Sequence, residues 1–133
     1  MLEKDMIQQR GFKNLHSGST PVGFQVRIRT PYYRGIWASL LEGAEVTVDG
    51  ETFSREQVKW TIGDKTYTVA DLEKASNVRW PFEETAALTV PKPGGLAPGL
   101  HKVEVLMLFR ASYIPESLQP WPMKSERTLT MVH

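Results

Sequence analysis

The sequence predicts an all-β fold, an antiparallel β-sandwich of about eight strands with one short helix. Three observations predict it. Short runs alternate apolar and polar residues with a period of two, the spacing of a half-buried strand. Turn dipeptides and glycine–proline clusters recur between those runs. Helical spacing is confined to one brief stretch, and short antiparallel strands with frequent turns fit a two-layer sheet packing.

The elements follow in order. In GFQVRIR, Phe24, Val26 and Ile28 alternate with Gln25, Arg27 and Arg29, which makes a strand with one apolar face. IWASLL at 36–41 reads as a second strand covered on both faces, and EVTV at 45–48 as a third. Asp49-Gly50 then supplies a tight hairpin turn. QVKWTI points Val58, Trp60 and Ile62 one way, and Gly63-Asp64-Lys65 folds it back on TYTV as a hairpin. ADLEKASN at 70–77 is the helical piece, with Thr68 or Asp71 as cap and Asn77 as stop. VRWPF at 78–82 and AALTV at 86–90 return to strand, and Pro81 puts the first at an edge or bulge. PKPGGLAPG at 91–99 is a rigid turn. In LHKVEVLMLF, Val103, Val105, Met107 and Phe109 line one face, and Leu106 and Leu108 on the other imply a central strand. IPESLQPWPM at 114–123 reads as a proline-rich loop around Trp121, and ERTLTMV as the last strand. No composition break or repeat divides the 133 residues, so residues 1–133 are expected to form one domain.

Composition narrows the function. A chain of this length buries about two-thirds of its unfolded surface and needs no staple. There is no cysteine, which excludes disulfides, thiolate metal sites and cysteine nucleophiles. A net charge of +1 without charge runs leaves no footprint for nucleic acid or an anionic membrane. No stretch approaches the ~20 apolar residues that span a bilayer. The mixed-charge opening MLEKDMIQQRGF is unlike a signal peptide, so the expected location is cytoplasmic.

Catalytic constellations are absent from the sequence. His16, His101 and His133 lie far apart, with no carboxylate or second histidine at metal-ligand spacing. PGGLAPG runs into a strand rather than a helix, so it reads as a proline-braced turn and not a phosphate loop. Glu83 and Glu84 are adjacent, and neighbours on a strand point to opposite faces. No catalytic residue and no metal ligand is therefore assigned to this chain.

Three groups of aromatic and arginine residues remain. Tyr32, Tyr33, Arg34 and Trp37 form the first, Arg79, Trp80 and Phe82 the second, and Arg110, Tyr113 and Trp121 the third. Trp, Tyr and Arg dominate binding hot spots, because each joins a large area to a directional polar handle. Pro31, Pro81, Pro120 and Pro122 stiffen the segments that carry them, which lowers the ordering cost of binding. Trp60, in phase with Val58 and Ile62, belongs to the core. Arg34 beside Gly35 needs a partner if buried, on this chain or another.

PYYRGI at 31–36, EVTVDGE at 45–51, VRWPFEE at 78–84, PGGLAPGLHKVEV at 93–105 and RASYIP at 110–115 occur in one order. Together they resemble the small (beta) subunit of bacterial C-glycoside deglycosidases, over roughly residues 7–115. The resemblance implies a complex with a larger alpha subunit, a TIM barrel carrying a divalent metal, Mn2+. It implies a substrate that is a C-glycoside of a flavonoid-type aromatic, already oxidised to a ketone at the sugar 3-position. A base then removes the C2 proton, the metal stabilises the enolate, and the aglycone leaves by β-elimination. The complex would be a carbon–carbon lyase, with this chain its non-catalytic accessory subunit.

On that reading Tyr32, Tyr33, Arg34, Ile36, Trp37, Arg79 and Trp80 meet the partner. Tyr113 and Trp121 supply an apolar wall for the flat aglycone. Two other readings stand beside it. One is a stand-alone carbohydrate- or aromatic-binding module. The other is a lone enzyme built on His101 and a glutamate.

Overall fold

The computed structural model describes residues 5–30, 36–75, 77–81, 84–109 and 121–132. Within them every strand ladder is antiparallel. One sheet has five strands. Strands β1 (Ile7–Ser17) and β2 (Thr20–Ile28) are its first pair. The second sheet is built on β4 (Leu41–Val48) and β5 (Glu51–Phe53), and β3 (Ile36–Trp37) stands outside both. Strands β6 (Lys59–Ile62) and β7 (Lys65–Tyr67) form the far edge of the first sheet. The helix α1 (Val69–Glu73) precedes β8 (Arg79–Trp80) and β9 (Ala86–Pro91). Last come β10 (Gly99–Phe109) and β11 (Trp121–Met131). The strand orders are β1-β2-β9-β6-β7 and β11-β10-β4-β5, with β3 and β8 paired as a separate ribbon.

Period-two patterning puts the core between the sheets. Phe24, Val26 and Ile28 of β2 are fully buried, as are Leu88 of β9 and Trp60 of β6. Val46 of β4 and Val103, Val105 and Met107 of β10 face them from the other layer. Phe24 and Phe53 meet edge-to-face across the layers at 5.6 Å between ring centres. Strand β10 is central in its sheet, as its two apolar faces predict. The Asp49-Gly50 turn joins β4 to β5 with φ of 50° and 90°, the left-handed pair that matches the twist of a two-residue hairpin. Gly63 joins β6 to β7. Helix α1 opens with a capping box, in which Thr68 and Asp71 each bond the other's backbone N–H, and buries Leu72.

The structure corrects the expectation in four places. More strands form than the eight expected, several of them only two or three residues long. The N-terminal segment, given no element by its pattern, is strand β1. Its register slips between Gln8↔Arg27 and Lys13↔Gln25, so residues 9–12 bulge and the period-two alternation is lost there. IWASLL is not one strand: β3 gives way to a 3-10 turn at Ala38–Leu40 before β4 begins. Trp121, Pro122 and Met123 belong to β11 rather than to a loop, paired with Phe109, Leu108 and Met107. Pro122 is tolerated there because β11 is an edge strand of its sheet.

The bulged β1 also joins the layers at one side. The Gln9 side-chain amide donates to the Thr130 carbonyl at 3.0 Å and accepts from the Thr130 N–H at 2.9 Å, mimicking one rung of a ladder. Arg127 donates to the Ile7 carbonyl at 2.9 Å. No helix among the described residues is long and apolar enough to cross a membrane.

The sandwich has two unlike ends. At one, the hairpin end, lie the Asp49-Gly50 turn and the 92–98 connection: Lys92 reaches Glu51 at 3.0 Å, and Asn14 makes two bonds with the Leu96 backbone, at 2.8 and 2.9 Å. At the other, the ribbon end, Ile28 pairs with Ala86 in one sheet and Leu41 with Phe109 in the other. The β3–β8 ribbon sits here, joined to Leu41 through the 3-10 turn.

Candidate partner interface

The ribbon brings together two groups that are distant in the sequence. Its register is Ile36↔Trp80 and Trp37↔Arg79. The Ala38 N–H donates to the Val78 carbonyl at 2.8 Å and extends the pairing by one rung. Trp37 is 44% exposed, unusually open for the largest side chain. The Arg79 guanidinium lies over its ring, 5.6 Å from the centroid. That is a cation–π arrangement, favourable because the cation faces the negative ring surface.

Trp80 turns the other way and corrects the expectation that it meets a partner. Alternation along β8 sends it into the core, where it is fully buried and meets Trp60 edge-to-face at 5.8 Å. Its indole N–H donates to the Glu84 carbonyl at 2.8 Å, so its polar handle is spent within the chain. Trp80 anchors the ribbon, and Trp37 and Arg79 are the side that faces out.

Tyr32, Tyr33, Arg34, Phe82, Arg110 and Tyr113 lie outside the described residues, as do Glu83 and His133. Ile36 and Trp121 are described by their backbone. Trp121 pairs with Phe109, which pairs with Leu41, so this member of the third group enters its strand at the ribbon end as well.

His101 is placed for structure. Its Nδ1 is 2.6 Å from Asp49 Oδ2 and its Nε2 2.6 Å from the Ala97 carbonyl. Both partners accept, so the arrangement favours the protonated ring, whose two N–H groups can both donate. Burial pulls its pKa down. The Ala97 carbonyl, the Asp49 hydrogen bond and the Asp49 charge outweigh that and raise it. The Asp49 carboxyl is lowered, first by its bond to His101 and then by the Lys102 N–H, which it accepts at 2.8 Å. Both nitrogens are engaged within the chain, one at the β4–β5 turn and one at the connection that enters β10. Sequence reasoning missed the pairing. The signal was an acidic residue in a hairpin turn and a histidine opening the next long strand.

The remaining expectations have simple outcomes. The glycine-rich turn spends its donors internally: Gly94 N–H on the Pro21 carbonyl, Gly95 N–H on that of Lys92, and Leu96 N–H on Asn14 Oδ1. It is a turn and not an anion cradle. Among the described residues no three His, Asp or Glu side chains converge to hold a metal ion. Two clefts among the described residues have volumes of about 200 and 130 Å3. Both fall below the ~300 Å3 at which small-molecule pockets usually begin. An outward-facing feature with binding chemistry among the described residues is the Trp37–Arg79 pair.

Residues 2–113 match the family described as C-glycoside deglycosidase beta subunit. The chain belongs to the C-glycoside deglycosidase beta subunit family. It is 35% identical over 119 residues to a C-glycoside deglycosidase beta subunit of Eubacterium cellulosolvens, covering 89% of this chain and 81% of that protein. It is 31% identical over 102 residues to a 3'-dehydrocarminate deglycosidase beta subunit of a Microbacterium species, covering 76% of each. A C-glycoside deglycosidase beta subunit of Arthrobacter globiformis is 27% identical over 71 residues, about half of each chain. Membership gives this β-sandwich the part of a beta subunit in a deglycosidase.

Proposed function

We propose that this chain is the non-catalytic accessory subunit of a cytoplasmic carbon–carbon lyase that cleaves 3-oxo C-glycosides of flavonoid-type aglycones. Its partner is a larger alpha subunit with a TIM-barrel fold, which holds the chemistry. The observation that carries the reading is the contrast between the two ends of the sandwich. One end closes on itself through polar bonds, and the other presents an exposed tryptophan and arginine on a ribbon anchored in the core.

In the reaction, a base of the alpha subunit takes the C2 proton of the 3-oxo sugar. The electron pair passes into the C2–C3 bond and onto the C3 oxygen as an enolate. Its return expels the aglycone from C1, breaking the carbon–carbon bond, and the leaving carbon takes up a proton. A divalent metal, Mn2+, bound by the alpha subunit would supply charge stabilisation at the C3 oxygen. This chain contributes support: the ribbon end docks on the barrel, and Trp121 and Tyr113 offer an apolar wall to the aglycone.

The test is reconstitution. The purified chain and the purified alpha subunit are assayed separately and together on a 3-oxo C-glucoside, with the complex weighed by native mass spectrometry. The expected result is activity in the complex, loss on chelation and return with Mn2+, and no turnover by this chain. Turnover by this chain alone, or full activity of the alpha subunit without it, would overturn the assignment.

A further inference from the structure

Among the described residues, Arg79 is a cation with no hydrogen-bonding or ionic partner. It is exposed on β8, and among the described residues no carboxylate, carbonyl or hydroxyl meets its guanidinium. Among the described residues its interaction is with the Trp37 ring. Several other described cations find acceptors close by. Arg55 donates to the Glu42 carbonyl, Lys92 pairs with Glu51, Lys102 with Glu126, and Lys124 with Glu104.

The arrangement is also pre-organised. A guanidinium resting on an aromatic face keeps its N–H edge free, and that planar fork matches a carboxylate in two parallel bonds. The ring under it is fixed by the Trp37↔Arg79 register, by the Ala38–Val78 bond beside it, and by Trp80 sunk in the core next along. Holding both groups before binding reduces the ordering cost of association.

We infer that Arg79, stacked on Trp37, captures a carboxylate on the alpha subunit, with the exposed indole seated in the apolar surround of that carboxylate. The inference rests on the subunit reading above and gives its interface a chemistry. A second copy of this chain fits less well. A two-fold contact centred on the ribbon would bring Arg79 against its own symmetry mate, a cation on a cation.

The experiment is calorimetric titration of the purified alpha subunit into this chain at low and moderate salt, without substrate. Arg79→Gln is expected to weaken binding about 10- to 100-fold, the range of a hot-spot residue, and to flatten its salt dependence. Arg79→Lys should restore part of the loss, because it keeps the charge without the fork. Trp37→Ala should weaken binding by a similar factor. Lys102→Gln, the same change of charge away from the ribbon, should match the unmodified chain. Circular dichroism on each variant checks that the exposed substitutions leave the fold intact.

Binding of Arg79→Gln within about twofold of the unmodified chain, with the salt dependence unchanged, would overturn the carboxylate contact and leave the subunit reading in place. Failure of the unmodified chain to bind the alpha subunit would overturn the subunit reading and this inference with it.

Discussion

A single residue pair shows how this chain converts an ordinary histidine into a clamp. Protonated His101 donates from both nitrogens, to Asp49 and to the Ala97 carbonyl, and so ties the β4–β5 turn to the connection that enters β10. Neutral imidazole has one N–H, so losing the proton forfeits one of the two bonds. The raised pKa of His101 means that its contribution is complete below its ordinary 6.5 and fades as pH rises through the raised value. Asp49 runs the other way: its contribution is complete above its ordinary 3.8 and fades as pH falls through the lowered value. The clamp is therefore strongest between those limits. Asp49→Asn keeps a residue that tolerates the left-handed φ of 50° and removes the charge together with one of its two acceptor oxygens. Thermal melts of both proteins across pH 3 to 9 should show the largest Tm gap from about pH 4 to 6.5, narrowing on either side. A gap that stays constant with pH would mean that the pair carries no charge-dependent stability.

Among the elements, β2 bears the closest constraint. Gly23 pairs with Pro91, and a Cβ at this position would run into the Val90 carbonyl oxygen on β9. That neighbour is backbone and cannot swing aside as a side chain would. Gly23→Ala is expected to cost about 1 to 3 kcal/mol in urea unfolding, the range of an overpacked site. Amides of Thr89 and Leu88 should exchange faster while those of Val103 and Val105 keep their protection. An unchanged unfolding midpoint would show that β9 can shift to accept the methyl group. This glycine illustrates what the sequence could and could not reveal. The period-two runs of β2, β6 and β10 and the Asp49-Gly50 turn were readable because local pattern and turn chemistry decide them. Strand β1 was not readable, because its bulge at residues 9–12 destroys the alternation and its rungs are completed by a side chain, Gln9, against Thr130. The β3–β8 ribbon was half readable. Its residues were singled out by type, but which of Trp37 and Trp80 turns inward follows from a pairing far apart in the chain.

At the scale of the whole molecule, polar closure is distributed unevenly. The hairpin end spends its donors and acceptors within the chain, through Asp49–His101–Ala97, Asn14–Leu96 and Lys92–Glu51. The ribbon end spends its large buried aromatics, Trp60 and Trp80, on anchoring, and presents Trp37 and Arg79 beyond them. An exposed indole beside a guanidinium contributes little to an isolated chain in water, where exposed cation–π contacts are worth ~0.5 to 1 kcal/mol. It contributes more once a partner excludes solvent, which is where Trp and Arg become anchors. Docking should therefore proceed through one end, leaving the other in solvent. Hydrogen exchange on the complex with the alpha subunit should show new protection at residues 36–41 and 78–81 and near the paired termini Phe109 and Trp121. Residues 49–51 and 92–101, at the hairpin end, should exchange as they do in the free chain. Protection at the hairpin end in place of the ribbon end would reverse the orientation of the subunit and make the Trp37–Arg79 pair a local brace instead of a contact.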